Sequence, residues 1–495
     1  MTIDLSQAQE VNDLAQANAA AACPLVVDLD GTLTPTDTLL ESVIQLVKQS
    51  PLNLLRLPFW LLKGRAAFKE TVSSHTRISA AHLPYREAFL AYLYGEKNKG
   101  RRIILATAAH RSIAHDVSDH LALFDEVLAT DTGCNLKGNT KLAAIQQKVG
   151  AEFVYAGDSR ADIPIWNAAQ AAVLVGASAG LSKSVRRRNT VEQEFPKEAV
   201  GFSTWVKALR VHQWLKNLLL FVPLLTAFSF MDGARLATTA IAFLSFSLAA
   251  SATYVVNDLW DLESDRAHPR KKHRPLASAR IPILAGLAVA GGLLLLAVAL
   301  ALVVSQPFFF MLLLYVGLTS TYSWLFKEYV LIDVIMLSIL YTLRILAGSV
   351  AIAVVTSAWL LAFSVFMFLS LALVKRCSEL ISLEQIGKAA ARGRDYRVTD
   401  LAVLSPLGLA SAMSAVVVFG LFINSPDTQA RYATPDLLWL VALGLIYWLA
   451  RLWIKTSRGE MHDDPVIYAI KDRGSRSAII VMGVTMLIAH FFVLN

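Results

Sequence analysis

The chain is short of charge, of cysteine and of acid. Only 17% of its 495 residues are charged while 55% are hydrophobic, and the mean hydropathy is +0.50. That balance excludes an ordinary soluble protein. Three cysteines, Cys23, Cys134 and Cys377, make an odd number without metal-ligand spacing. They exclude a disulfide framework and predict free thiols facing a reducing compartment. The first twenty residues lack a basic segment followed by an apolar core, so residues 1–21 read as a polar leader rather than a cleaved signal. Asp and Glu total 38 against 46 Lys and Arg, a net charge of +8. The surplus cations cluster between apolar runs, which points to membrane topology and away from nucleic acid.

The apolar residues are unevenly spread. Residues 1–204 read as a mixed soluble sequence, and 205–495 are dominated by long apolar runs. Nine segments are long enough to be expected as spans: 218–231, 235–257, 282–304, 308–325, 330–352, 358–375, 402–423, 435–454 and 478–494. With the N-terminus inside, Lys and Arg concentrate in alternate loops, and only Arg235 and Arg431 fall in the others. The positive-inside rule then predicts an inner (plasma) membrane protein whose N-terminal domain and polar loops are cytosolic.

Where the second segment ends stands Asn257-Asp258-Leu259-Trp260-Asp261-Leu262-Glu263-Ser264-Asp265. Asp258, Asp261 and Asp265 are three and four residues apart, so on a helix they share one face with Asn257 in reach. Carboxylates this close at a membrane boundary call for a divalent cation, and oxygen-only ligands select a hard one such as Mg²⁺. Arg266, His268, Arg270, Lys271, Lys272, His273 and Arg274 follow, a run suited to phosphate oxygens. The alternative is a solvated helix end, and the basic run that follows weighs against it. The pattern Asn257-Asp258-x-x-Asp261-x-x-x-Asp265 resembles the first aspartate motif of the UbiA-type intramembrane prenyltransferases, as does the continuation through Arg274-Pro275-Leu276-Ala277. The resemblance implies an all-α bundle with Mg²⁺ on Asn257, Asp258, Asp261 and Asp265, and Lys271 and Arg274 on substrate phosphate.

The soluble half has its own motif. A short buried strand, Pro24 to Leu29, ends in Asp28-Leu29-Asp30-Gly31-Thr32. Paired carboxylates at the carboxyl edge of a parallel sheet suit phosphoryl transfer. Three further pieces follow in order. A strand from Arg101 to Ala106 runs into Thr107, Lys141 opens a helix after Gly138-Asn139-Thr140, and a strand from Phe153 to Ala156 leads to Gly157-Asp158-Ser159-Arg160-Ala161-Asp162. Together they resemble the haloacid dehalogenase (HAD) superfamily of phosphatases, an α/β Rossmann-like fold. On that resemblance Asp28 is the nucleophile, Asp30 the general acid/base, Thr107 and Lys141 hold the phosphoryl group, and Asp28, Asp30, Asp158 and Asp162 make the Mg²⁺ site. About 65 residues of helical pattern between the first two motifs fit a small cap. Its apolar piece, Pro51 to Leu62, is too short to span a bilayer and suits either the membrane surface or packing on the core. The expected division is a phosphatase domain at 22–185, a linker at 186–204 and a membrane domain at 205–495.

The fifth apolar segment carries Asp333 and Arg344, eleven residues apart and so on one helical face with Tyr341 and Gly348. Asp333 is expected on the metal and Arg344 on an anionic group, with a structural Asp–Arg pair as the alternative. The loop after the sixth segment is expected to hold Lys375, Arg376, Glu379, Lys388, Arg392, Arg394, Tyr396 and Arg397 for a phosphorylated soluble substrate. Val374-Lys375-Arg376-x-x-Glu379 and Arg394-Asp395-Tyr396-Arg397 look like the decaprenyl-phosphate phosphoribosyltransferase branch, and Trp214-x-Lys216-Asn217 resembles its entry to the first span. The branch implies phosphoribosyl diphosphate (PRPP) as donor and a polyprenyl phosphate lipid as acceptor. The rivals are a prenyltransferase with an aromatic acceptor and a transporter with a regulatory HAD domain.

Overall fold

The computed structural model describes residues 23–131, 135–387, 389–390, 394–461 and 464–493, so the polar leader, Cys134, Lys388 and Arg392 lie outside the described residues. The chain divides into two compact units, Met1–Leu209 with Tyr254–Val289, and Arg210–Thr253 with Ala290–Asn495.

In the first unit β1 (Leu25–Val27), β2 (Ile103–His110), β3 (Glu126–Thr130), β4 (Val154–Gly157), β5 (Ala171–Val175) and β6 (Val191–Phe195) form one parallel sheet, ordered β3-β2-β1-β4-β5-β6. Its central strands are apolar on both faces because both are covered. Leu25, Val27, Ile103 and Leu105 pack into one layer, while Val26, Ile104, Tyr155 and Leu174 pack into the other. Each such burial is worth about 1.5–3 kcal/mol relative to exposure. The chain reverses its strand order between β1 and β4, and the carboxyl ends of these two neighbours make the crevice where ligands bind in such sheets.

Residues 191–195 correct the expected linker, since they form β6, paired with β5. Val-Glu-Gln-Glu-Phe has one apolar face and a charged one, as an edge strand does. Phe195 packs on Phe89 at 5.3 Å, and Glu192 takes both Arg101 (2.6 Å) and Tyr92 (2.7 Å). Between β1 and β2 the expected helical insertion is present as α1 (Thr38–Gln49), α2 (Asn53–Leu62), α3 (Arg65–His75) and α4 (Glu87–Asn98).

Seven helices among the described residues are long and apolar enough to cross a membrane, beginning at Gly233, Ile283, Ile332, Ala358, Val398, Pro435 and Arg473. Seven of the nine expected segments fall in these helices, and 218–231 and 308–325 are not among them. Residues 211–226 form a 3-10 stretch, Val211–Phe221, followed by a five-residue helix opened by Pro223. Gln306–Trp324 is a helix of 19 residues, but Thr319, Ser320, Thr321 and Ser323 make its last turns polar. Before the 3-10 stretch Phe202–Ala208 is a short helix, and Arg210 between the two has a φ of +50°. In the second unit small residues let helices touch. A Cβ on Gly408 would fall 2.0 Å from the Trp453 ring, whose indole N–H donates to Ser370 at 3.0 Å.

Candidate functional site

The β1 and β4 ends deliver Asp28 and Asp158 to the sheet crevice, and the turn after β4 adds Asp162. One carboxylate oxygen from each lies within 4.8 Å of the others. Asp28 receives the Leu29 N–H at 2.8 Å and an ion pair from Lys141 Nζ at 2.9 Å. Lys141 also donates to the Tyr155 hydroxyl (2.9 Å), which donates to Asp162 (2.9 Å), and Ser159 donates to Asp162 from both N–H and hydroxyl at 3.0 Å. Gly31, at φ +80°, leaves the space needed here, since a Cβ there would sit 2.3 Å from Asp158 Oδ2. Arg86 pins the same turn through the Gly31 and Thr32 carbonyls at 3.0 and 3.2 Å.

The carboxylates crowd one another. Burial, then Asp162 and Asp28, push Asp158 up to about 7. Burial also raises Asp28, against Lys141. Three oxygen donors that repel one another in a buried crevice fit a hard divalent cation, so Asp28, Asp158 and Asp162 fit Mg²⁺. Asp30 is not one of this group of three, and its carboxylate accepts the Thr38 N–H at 2.9 Å at the start of α1. Burial, then Asp37, push it up to about 7, the range a general acid/base needs at neutral pH. Thr107 is fully buried in β2, and its hydroxyl accepts the Ala109 N–H at 3.0 Å.

The second acidic motif also lies in the first unit. Its helix ends at Trp260 and resumes at Leu262–Arg266, with Asp261 at the break. Asp258 and Asp265 are almost fully buried and share the Arg274 guanidinium, at 3.1 and 2.5 Å, while Lys271 stands 4.0 Å from Asp265. Arg274 and Lys271, expected on substrate phosphate, are thus placed on the motif's own carboxylates. Asn257 donates to Asp261 at 3.5 Å, and its buried Oδ1 has no hydrogen-bond partner among the described residues. An orphaned amide oxygen among carboxylates again suits a hard cation.

The second unit holds the remaining candidates. Asp333 is fully buried, paired with Arg376 at 2.5 Å and receiving the Tyr322 hydroxyl at 2.9 Å. The alternative reading, a structural Asp333–Arg344 pair, is therefore overturned. Arg344 instead donates to Asn217 (2.9 Å), to Tyr315 (3.1 Å) and to the Leu340 carbonyl. Lys375, Arg376 and Glu379 sit on the Ala358–Gln385 helix rather than in a loop. Glu379 pairs with Arg376 and, at 3.0 Å, with Arg394. The buried Tyr396 hydroxyl accepts the Leu331 N–H at 3.1 Å. Asp464 gathers Lys216 at 2.7 Å and Lys375 at 3.7 Å. Asp464, Tyr155, Tyr322 and Arg86 were not anticipated. Of these only Asp464, before Pro465 and a helix, carried a local signal.

Comparison with known proteins agrees with both halves. The model of the UbiA prenyltransferase family matches residues 218–468, and that of haloacid dehalogenase-like hydrolase matches residues 25–166. The chain is 39% identical to the uncharacterized protein y4nM of Sinorhizobium fredii over 455 residues, 91% of this chain and 88% of that one. It is 30% identical over 289 residues, 56% of this chain and 89% of the other, to decaprenyl-phosphate phosphoribosyltransferase of Mycolicibacterium smegmatis. A solved UbiA homolog from Archaeoglobus fulgidus bound to GPP and Mg²⁺ aligns with a TM-score of 0.44 at 16% identity, covering 57% of this chain and 99% of that one. The chain belongs to the UbiA prenyltransferase family, as a multi-pass membrane protein that also carries a haloacid dehalogenase-like hydrolase domain.

Proposed function

We propose that the membrane half transfers 5-phosphoribose from PRPP to a polyprenyl phosphate, and that the hydrolase half then removes the 5-phosphate from the lipid-linked product, both on the cytosolic side. The observation that carries this reading is the assembled Asp28, Lys141, Asp158 and Asp162 set in a chain of this family. Such a site consumes a phosphate monoester. A phosphoribosyl donor leaves one on its product, whereas moving a prenyl group to an aromatic acceptor leaves none.

In the transfer, a polyprenyl phosphate oxygen displaces diphosphate from the anomeric carbon of the ribose. Asn257, Asp258, Asp261 and Asp265 are the residues that would hold Mg²⁺, whose chemistry is to neutralise the departing diphosphate. Lys216, Lys375, Arg376 and Arg394 are cations suited to anionic groups. Because Asp333 is already paired with Arg376, a metal role for Asp333 requires Arg376 to let go.

In the hydrolysis, Asp28 attacks phosphorus and Asp30 protonates the ribose oxygen as it leaves. Lys141 steadies the attacking carboxylate and the phosphoryl charge. Asp30, now ionised, takes a proton from the water that cleaves the aspartyl-phosphate. Asp28, Asp158 and Asp162 are the residues that would hold Mg²⁺, whose charge would offset the repulsion between the carboxylate and the phosphate. The test is purified protein in lipid vesicles with polyprenyl phosphate and PRPP labelled in the ribose. Label should enter the lipid phase. Label that stays in water, with transfer from a prenyl diphosphate to an aromatic acid instead, would overturn the reading.

A further inference from the structure

Helix α2 exposes far more apolar surface than a folded domain normally does. Leu52, Leu54, Leu55, Phe59, Leu61 and Leu62 are each between 54% and 84% exposed, and Asn53 is the helix's one buried residue. At 100° per residue, positions 52, 55, 59 and 62 fall on one stripe and 54 and 61 widen it, so half the helix circumference is unpartnered leucine and phenylalanine. Isolated exposed leucines are ordinary, but a contiguous patch of this kind marks an interaction surface.

Two observations identify what covers it. The first is charge. From Ser42 to Lys69 there is no Asp or Glu, and Lys48, Arg56, Lys63, Arg65 and Lys69 all fall there. Apart from Lys69, which donates to the Ala108 carbonyl, these cations flank the apolar stripe and are exposed. A patch of one sign repels a second copy of itself and attracts anionic headgroups. The second is position. Glu41 on α1 is bonded to Arg266 through both carboxylate oxygens, at 2.7 Å each. Arg266 follows by six residues the end of Gly233–Trp260, a helix long and apolar enough to cross a membrane. Asn53 begins α2 twelve residues after Glu41, across the turn that follows Gln49. The α1–α2 hairpin is thus fastened six residues beyond the end of a helix long and apolar enough to cross a membrane.

We infer that α2 lies in the lipid–water interface, its leucine and phenylalanine stripe in the acyl boundary and Lys48, Arg56, Lys63 and Arg65 at anionic headgroups. It anchors the hydrolase domain to the same membrane that holds the apolar helices. The inference does not depend on which phosphate ester the hydrolase site consumes.

The test uses the full chain in vesicles containing phosphatidylglycerol, with an environment-sensitive fluorophore on Leu55→Cys, Phe59→Cys or Leu62→Cys. All three side chains are exposed, so labelling leaves the core intact. Lys148→Cys, exposed on the Asn139–Val149 helix, is the control. Lipids brominated in the acyl chain should quench the α2 labels about twofold, as expected for a face sunk about 5–10 Å into the headgroup–acyl boundary. The control should be unaffected. Quenching at α2 no greater than at Lys148, or label-to-label energy transfer between copies in its place, would overturn the proposal.

Discussion

The Arg266 guanidinium and the Glu41 carboxylate meet side by side, Nη1 to Oε2 and Nη2 to Oε1 at 2.7 Å, with side chains only 7% and 8% exposed. Arg266 Nε donates to the Ala277 carbonyl at 2.8 Å, and Glu41 also accepts the Thr36 hydroxyl at 2.5 Å. The pair ties the first helix of the hydrolase insertion to the loop that follows the membrane aspartate motif. Two distant stretches of sequence are thereby held by one planar, two-point contact.

Because both charges are buried, removing one strands the other. Arg266→Ala should cost about 3–5 kcal/mol of stability in the first unit. Arg266→Lys should recover only part of it, since an ammonium cannot reproduce the two-point geometry. Arg266→Met with Glu41→Leu should lie closer to wild type than either single change, and a double-mutant cycle on thermal unfolding in detergent measures this. Additive losses would show that the pair is not coupled.

Asp333 and Arg376 allow a sharper separation of stability from activity. Arg376→Met leaves Asp333 buried without its cation and should lower the unfolding temperature. Adding Asp333→Asn should restore most of that loss, because a neutral amide is far less costly to bury than a carboxylate. Phosphoribosyl transfer should stay absent in the double variant. Transfer returning along with stability would reduce the pair to scaffolding.

These two pairs also show what the sequence made legible. Asp28 and Asp158 could be read because each follows a short apolar strand, and a parallel sheet fixes where such strands end. Tyr155 could not be read, because a tyrosine between Val154 and Ala156 looks like core and its hydroxyl acts only through the fold. For a related reason the sequence suggests a loop at Arg376. Hydropathy falls sharply at Val374-Lys375-Arg376, yet the helix continues to Gln385 because Asp333 and Glu379 neutralise the buried arginine. Strand β6 was hidden by its two glutamates. Arg266–Glu41 had no local signal, since 225 residues separate the partners.

The crowded carboxylates of the hydrolase site set a pH dependence. Asp30 and Asp158 are raised from 3.8 to about 7, so between those values the folded state binds protons that the unfolded chain has released. Their contribution to stability is therefore full below about pH 4 and lost as pH rises through about 7. Mg²⁺ needs the ionised forms of its ligands and should reverse the trend at Asp158. In a chelator the hydrolase domain should become less stable from pH 5 to 8, and added Mg²⁺ should stabilise it more at pH 8 than at pH 5. A Mg²⁺ effect that is equal at both values, or larger at pH 5, would show that these carboxylates do not take up the ion.

Asp28→Asn separates the two chemistries. The substitution keeps the side chain's size and its Leu29 N–H contact, but an amide neither attacks phosphorus nor pairs with Lys141. Hydrolysis of a phosphate monoester should fall to background. Phosphoribosyl transfer should continue, since Asp28 is no part of the 257–265 motif to which the transfer chemistry is assigned. Purified Asp28→Asn protein supplied with PRPP and polyprenyl phosphate should therefore accumulate the lipid that still carries its 5-phosphate, and wild type should accumulate the dephosphorylated lipid. Thin-layer separation of the two labelled lipids reads the outcome directly. If Asp28→Asn protein yields the dephosphorylated lipid as readily as wild type, the hydrolase domain acts on some other ester and the coupling of the two halves is wrong.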